Sequence, residues 1–198
     1  GVWPLGSGNW LVRDNLTNAP VNWQTNIGSP YPANGGTGKA AYVNRQNTGQ
    51  GVLSEEWMIT PLVNVPVNNQ LRFFTRQTLP GQNGVGTLYQ IRVSTSSNQT
   101  DLTAFTTLVT YTETQLSTLT ADQLDYEEKI INLGFSGNRY FAFVKVFTQP
   151  STGTDGDRWL VDDIKVVQRC PEPTTLGTTA VSASGATLTW VSTAPLFT

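Results

Sequence analysis

The sequence predicts an all-β protein: an antiparallel jelly-roll β-sandwich with long loops, plus a short truncated β segment at the C-terminus. Three observations carry that expectation. Short runs that alternate apolar with polar residues recur about ten times along the 198 residues, and a period of two belongs to strands with one buried face. Turn formers punctuate these runs, with 18 Gly and 11 Pro in the chain. Neither helical heptads nor an alternation of strand-like and helix-like segments is visible, which argues against bundles and parallel sheets.

In chain order, Asn9-Trp10-Leu11-Val12 and Asn22-Trp23-Gln24-Thr25 read as short strands. Residues 26–38 hold Pro30, Pro32, Gly35, Gly36 and Gly38 and read as a surface loop. A strand is expected from Lys39 to Asn44 and another from Glu55 to Leu62, the latter closed by Pro61 because proline cannot continue an inner ladder. Leu71 to Arg76 alternates. Leu88 to Thr95 does so most cleanly, with Tyr89, Ile91 and Val93 facing in. Phe105 to Thr112 and Tyr126 to Leu133 follow, separated by a polar stretch in which Leu116 to Leu124 has room for one helical turn. Arg139 to Thr148 is apolar on both faces and so belongs in the middle of a sheet or under covering loops. The last strand of the run is Arg158-Trp159-Leu160-Val161-Asp162-Asp163-Ile164-Lys165-Val166.

Near Gln168 the pattern changes. Cys170-Pro171-Glu172-Pro173 reads as a stiff linker, and Thr187-Leu188-Thr189-Trp190 as a new strand carrying a core tryptophan. The expected division is therefore 1–168 for the sandwich and 169–198 for a linker with the start of a second domain. A piece that short is below the ~40 residues at which domains fold unaided.

Composition narrows the function. Charged residues make up 13% of the chain, about half the usual ~25%, and Thr, Asn, Ser and Gln supply the polarity instead, as in extracellular β proteins. A net charge of −2 offers no field for a phosphate backbone, so nucleic acid is not an expected partner. No apolar run approaches the ~18 residues of a membrane span. Histidine is absent, which removes Ser-His-Asp and Cys-His catalysis and imidazole zinc sites. Cys170 is the single cysteine, with no disulfide partner in the chain and no histidine to activate it.

Asp162 and Asp163 are the outstanding pair, because two adjacent carboxylates in an apolar strand cannot both face solvent if both faces are covered. A buried carboxylate needs hydrogen bonds, a proton or a cation. One reading is a structural calcium site completed by loop carbonyls, to which Asp155 and Asp157 of the preceding loop either add oxygen donors or belong only as residues of a polar turn. The other is a carboxylate that caps a turn or pairs with Arg158, Arg139 or Lys145. On either reading, Asp162 is expected on the face of Leu160 and Ile164, more buried than Asp163. Glu55-Glu56 and Glu127-Glu128 cannot each form a glycosidase couple, since neighbours along a strand point to opposite faces. Of the aromatic residues, Trp57 and Trp159 are expected in the core, and Tyr31, in the Gly/Pro loop, is the candidate for ligand contact.

Three segments together resemble one family. Trp57-Met58-Ile59-Thr60-Pro61, Leu71-Arg72-Phe73 and Trp159-Leu160-Val161-Asp162-Asp163-Ile164-Lys165-Val166 are similar, in order and spacing, to the cleaved-adhesin or choice-of-anchor J domains of secreted bacterial surface proteins, kin to MAM domains and jelly-roll carbohydrate-binding modules. The resemblance covers roughly residues 3–168. The tail resembles the first two strands of a fibronectin type III module, with Leu176 and Trp190 in core roles. These resemblances imply a non-catalytic, calcium-stabilised binding module, secreted or on a bacterial cell surface. Its expected partners are carbohydrate or host protein and the other domains of its own polypeptide. A structural spacer and a carboxylate-only hydrolase are the competing expectations.

Overall fold

The computed structural model describes residues 9–15, 23–25, 32–77, 86–116, 125–153, 156–169 and 174–191. The strands in chain order are β1 (Leu11–Asp14), β2 (Gln24–Thr25), β3 (Ala41–Val43), β4 (Leu53–Ile59), β5 (Val63–Val65), β6 (Asn69–Arg76) and β7 (Leu88–Ser94), then β8 (Phe105–Thr112), β9 (Glu127–Leu133), β10 (Gly137–Thr148), β11 (Trp159–Gln168), β12 (Thr174–Ser182) and β13 (Gly185–Val191). One helical turn, α1 (Glu113–Leu116), sits just ahead of the stretch where a turn was expected.

Every pairing is antiparallel. The first sheet runs β1-β4-β10-β7-β8, with β5 also on β10, and the second runs β2-β3-β11-β6-β9. The two sheets pack face to face as a jelly-roll sandwich. Alternation explains the layer between them: Leu71 and Phe73 of β6, Tyr89 and Ile91 of β7, Phe141 and Phe143 of β10, and Trp159 and Val161 of β11 all point inward and are fully buried. Trp159 is the hub, with Trp23 and Tyr89 each edge-on at 5.1 Å between ring centroids. At ~25 cal/mol per Å² of apolar surface, these large side chains dominate the stability of the domain.

β10 is dry on its other face too. Ala142 and Val144 meet Trp57, Ile59 and Phe105 in a second cluster on the outer side of the first sheet. The segment before β8 folds over this cluster, adding Leu102, and Gln99 pins it by donating to the carbonyls of Thr60 (2.8 Å) and Asn9 (3.0 Å). A strand read as apolar on both faces is thus central and covered.

The C-terminal strands lie where a short β segment was expected, but the core roles expected of their apolar residues do not hold. β12 and β13 form a two-stranded hairpin of their own, and Leu176 (76% exposed) and Trp190 (56% exposed) are not core residues. The physical reason is the missing second layer: among the described residues nothing packs on the hairpin's apolar face. Cys170 lies outside the described residues.

Candidate functional site

β11 does not run straight through its two aspartates. Asp163 takes a left-handed backbone (φ 49), and the register with β6 jumps between Asp162↔Phe74 and Lys165↔Arg72. This bulge resets the alternation. Trp159 and Val161 face the core before it, and Ile164 and Val166 face the core after it. Asp162 therefore shares its outer face with Leu160 but not with Ile164, which corrects the expected face. The expected order of burial holds, with Asp162 9% exposed and Asp163 exposed.

The loop that meets this corner is the Gly/Pro loop. Ala33 is buried there, and Tyr126 fastens the loop by donating to the Pro32 carbonyl (2.9 Å). The backbone N–H of Asn34 donates to Asp162 Oδ2 (2.9 Å), that of Asp163 donates to Asp162 Oδ1 (2.9 Å), and the Asn34 side-chain amide donates to Asp163 Oδ2 (2.9 Å). Burial raises the Asp162 pKa, the two N–H donors hold it down in part, and the neighbouring Asp163 raises it again. Asp162 thus caps a turn, with Asn34 as the partner rather than Arg158, Arg139 or Lys145.

A calcium ion needs 6–8 oxygens. The corner supplies two carboxylates, and each Asp162 oxygen keeps one lone pair beyond the N–H it accepts. Among the described residues no group of three or more Asp, Glu, His or Cys side chains comes together. Asp155 and Tyr31 lie outside the described residues. Asp157 is elsewhere, buried beside Thr87, which accepts its N–H (3.1 Å), with its own Oδ1 accepting the Arg158 N–H (2.7 Å). Burial lifts its pKa to about 6; the Arg158 N–H lowers it and Glu113 raises it. The fit to calcium is therefore partial, limited to Asp162 and Asp163.

Two arrangements escaped sequence reading because each is assembled by register between distant strands. The first is interior. Asp14, Glu56, Lys145, Tyr89 and Tyr111 stand opposite one another across β1, β4, β10, β7 and β8, forming a polar row on the inner face of the first sheet. Glu56 is fully buried. Desolvation foremost, then Asp14, raises its pKa to about 7, against the lowering by Lys145. Desolvation lowers Lys145 to about 8, and its ammonium donates to the Asn44 carbonyl.

The second lies outside, on the same sheet. Arg92 of β7 donates to Glu55 Oε1 of β4 (2.6 Å) and to Gln90 Oε1 (2.8 Å). Its guanidinium lies 4.4 Å from the Trp57 ring, and Trp57 Nε1 donates to Glu55 Oε2 (3.3 Å). Glu55 and Glu56 thus face opposite ways. Trp57 is core, as expected. Around this network, Thr110 and Thr112 of the neighbouring strand are exposed and Leu88 and Val146 half-buried, which leaves an open, gently polar sheet face. It offers fixed donors and acceptors in a mutually neutralised Glu55–Arg92 pair, with the exposed Arg13 of β1 standing opposite Trp57 on the same face.

No family model matches the chain, and no curated protein matches it in sequence. Solved structures do resemble it. The K1 cleaved adhesin domain of Lys-gingipain from Porphyromonas gingivalis W83 superposes with a TM-score of 0.58 at 19% identity, over 81% of this chain and 90% of that one. The K3 domain of the same protein gives 0.52 at 18% identity, over 81% and 91%. The K2 cleaved adhesin domain of Lys-gingipain gives 0.53 at 15% identity, over 82% and 90%. At these identities the likeness is one of fold.

Proposed function

We propose that residues 1–168 are a non-catalytic binding module of a secreted or surface-attached bacterial protein, of the cleaved-adhesin or choice-of-anchor J kind, and that its ligand lies along the outer face of the first sheet. The observation that carries this reading is the Glu55–Arg92–Gln90 network. Charged side chains on an open sheet are ordinarily mobile, whereas these are held by mutual bonds and by the Trp57 ring. Fixed planar groups bind without a large ordering cost. Because Arg92 is neutralised by Glu55, the face suits a neutral hydroxylated ligand such as an oligosaccharide, or a polar stretch of host protein. The adhesin-domain fold is compatible with this role.

In the same proposal, residues 169–198 are a linker and a separate β segment, the opening strands of a fibronectin type III-like module. Asp162 and Asp163 hold a structural calcium on the lone pairs left open by Asn34 and Asp163. The calcium is a stabiliser and takes no part in binding at the sheet face.

Titration calorimetry against neutral gluco-, xylo-, manno- and galacto-oligosaccharides, with immobilised matrix proteins in parallel, tests the reading. Binding by the native chain that disappears in Arg92→Ala and persists in Ile130→Asp, on the opposite sheet, is expected. Binding that survives Arg92→Ala, or turnover of chromogenic glycosides or peptides, overturns it.

A further inference from the structure

Glu56 of β4 is completely buried, yet among the described residues neither of its carboxyl oxygens accepts a hydrogen bond; the Gln46 amide lies alongside without closing one. On one side, in register, stands Asp14 of β1, a second carboxyl at the ~5 Å spacing of directly opposed side chains. On the other stands Lys145 of β10, whose ammonium donates to the Asn44 carbonyl. Tyr89 of β7 and Tyr111 of β8 continue the row, and Asp157, ahead of β11, acts on Lys145. From the second sheet the contact is uncharged: Trp23 Nε1 donates to the Glu56 carbonyl (2.9 Å). A carboxyl so placed is stable while it keeps its proton. Ionised, it faces Asp14 with no donor to stabilise it and is sealed from solvent.

β1 is the easiest part of that seal to lift. It is four residues long, ends the first sheet, and among the described residues pairs with β4 only. None of its four residues is fully buried. Exposed amides fasten its ends. The Asn15 side chain donates to the Leu53 carbonyl (3.2 Å) and accepts the Glu55 N–H (2.7 Å), and Gln99 donates to the Asn9 carbonyl (3.0 Å). β10, on the other flank of Glu56, is held between β4 and β7 and apolar on both faces. An edge with so little buried surface opens locally, well below the free energy of unfolding the domain.

We propose that β1 is a pH-gated flap: it lies closed on β4 while Glu56 is protonated and lifts off when Glu56 ionises, driven by repulsion from Asp14 and by hydration of the new carboxylate. Covered, Glu56 holds its proton to about pH 7; hydrated, it releases it at 4.5. The closed form therefore binds more protons, and opening is favoured as pH rises. Between pH 5.5 and 8.5 this linkage raises the open fraction by up to about thirtyfold. Lys145, one strand farther in, keeps its cover when β1 leaves. The flap also carries Arg13, which stands opposite Trp57, so its opening takes that cation off the outer face. The gating itself does not depend on any ligand there.

Amide hydrogen exchange on the full chain at pH 5.5 and 8.5, read by mass spectrometry and corrected for the intrinsic pH dependence of exchange, tests this. In the native chain β1 is expected to be less protected than β11 at both pH values, and its protection to fall by about ten- to thirtyfold at the higher one. Glu56→Gln abolishes the fall. Asp14→Asn, which removes the opposing charge at a half-buried position, makes it smaller. Protection of β1 that ignores pH in the native chain, a fall as large in Glu56→Gln or in Asp14→Asn, or equal protection of β1 and β11 throughout each overturns the proposal.

Discussion

Replacing Glu56 by glutamine isolates a buried carboxyl that holds its proton far above the ordinary glutamate range. In the folded chain Glu56 keeps its proton up to about pH 7, whereas unfolded glutamate releases it at 4.5. The folded state therefore binds more protons between these values. The stabilisation is complete below about pH 4.5 and is lost as pH rises toward 7. At about 1.4 kcal/mol per pH unit, the loss is at most roughly 3 kcal/mol. Lys145 has the opposite slope. Its folded pKa of about 8, against 10.5 unfolded, makes stability fall as pH drops from 10.5 to 8. The pair thus digs a stability minimum near pH 7–8. Asp157, raised from 3.8 to about 6, adds to the acidic limb. Urea denaturation at constant ionic strength, at pH 4.5, 6 and 7.5, measures the limb. Glu56→Gln keeps the shape, cannot ionise, and flattens the fall between pH 4.5 and 7.5 by about 2–3 kcal/mol, leaving only the Asp157 share. If native chain and Glu56→Gln fall in parallel within about 0.5 kcal/mol, Glu56 does not hold a proton in the folded state, and the reasoning from the buried row fails.

Three further outcomes follow from the geometry. Asp162→Ala strands the N–H groups of Asn34 and Asp163 and costs about 1–3 kcal/mol in denaturant melts. Asp163→Gly, by contrast, relieves a left-handed backbone and stays within about 0.5 kcal/mol of the native chain. Gly156→Ala puts a Cβ 3.3 Å from the Phe147 ring at φ +78 and lowers Tm by about 2–8 °C, reporting ~1–2 kcal/mol in a chain of this length. In scanning calorimetry, calcium at ~100-fold over its Kd raises stability by about 2.7 kcal/mol relative to chelated protein, and Asp162→Ala abolishes the response. An unchanged thermogram would reduce Asp162 to its hydrogen bonds.

The strands were readable where one face alone decides burial. Phe105 to Thr112 coincides with β8, and the doubly apolar 139–148 run is the covered, central β10. β5 went unread because its three residues, Val63–Val65, lying between Pro61 and Pro66, are too few to show a period. The β11 bulge was invisible for a different reason. It depends on one dihedral at Asp163 and on an acceptor for the Asn34 N–H, 128 residues away in the chain. Glu56 and Arg92 were missed likewise, since nothing local to either residue reveals which strand will stand beside it. Trp190, read as a core residue, is 56% exposed because among the described residues no second layer meets its strand, which no local pattern reveals.

The placement of β1 and β11 also decides how the sandwich carries tension. Pulling on Leu11 and Gln168 loads two different sheets. Among the described residues, β1 is an edge of four residues paired with β4 only. β11 is ten residues long and clamped between β3 and β6, with Trp159 locked into the interior. Under load the weaker attachment yields first. β1 peels away and exposes the flank of β4, while β11 and the aromatic interior stay intact. A module strung between other domains would lengthen in steps from its N-terminal side, keeping β11 folded beneath the departing chain.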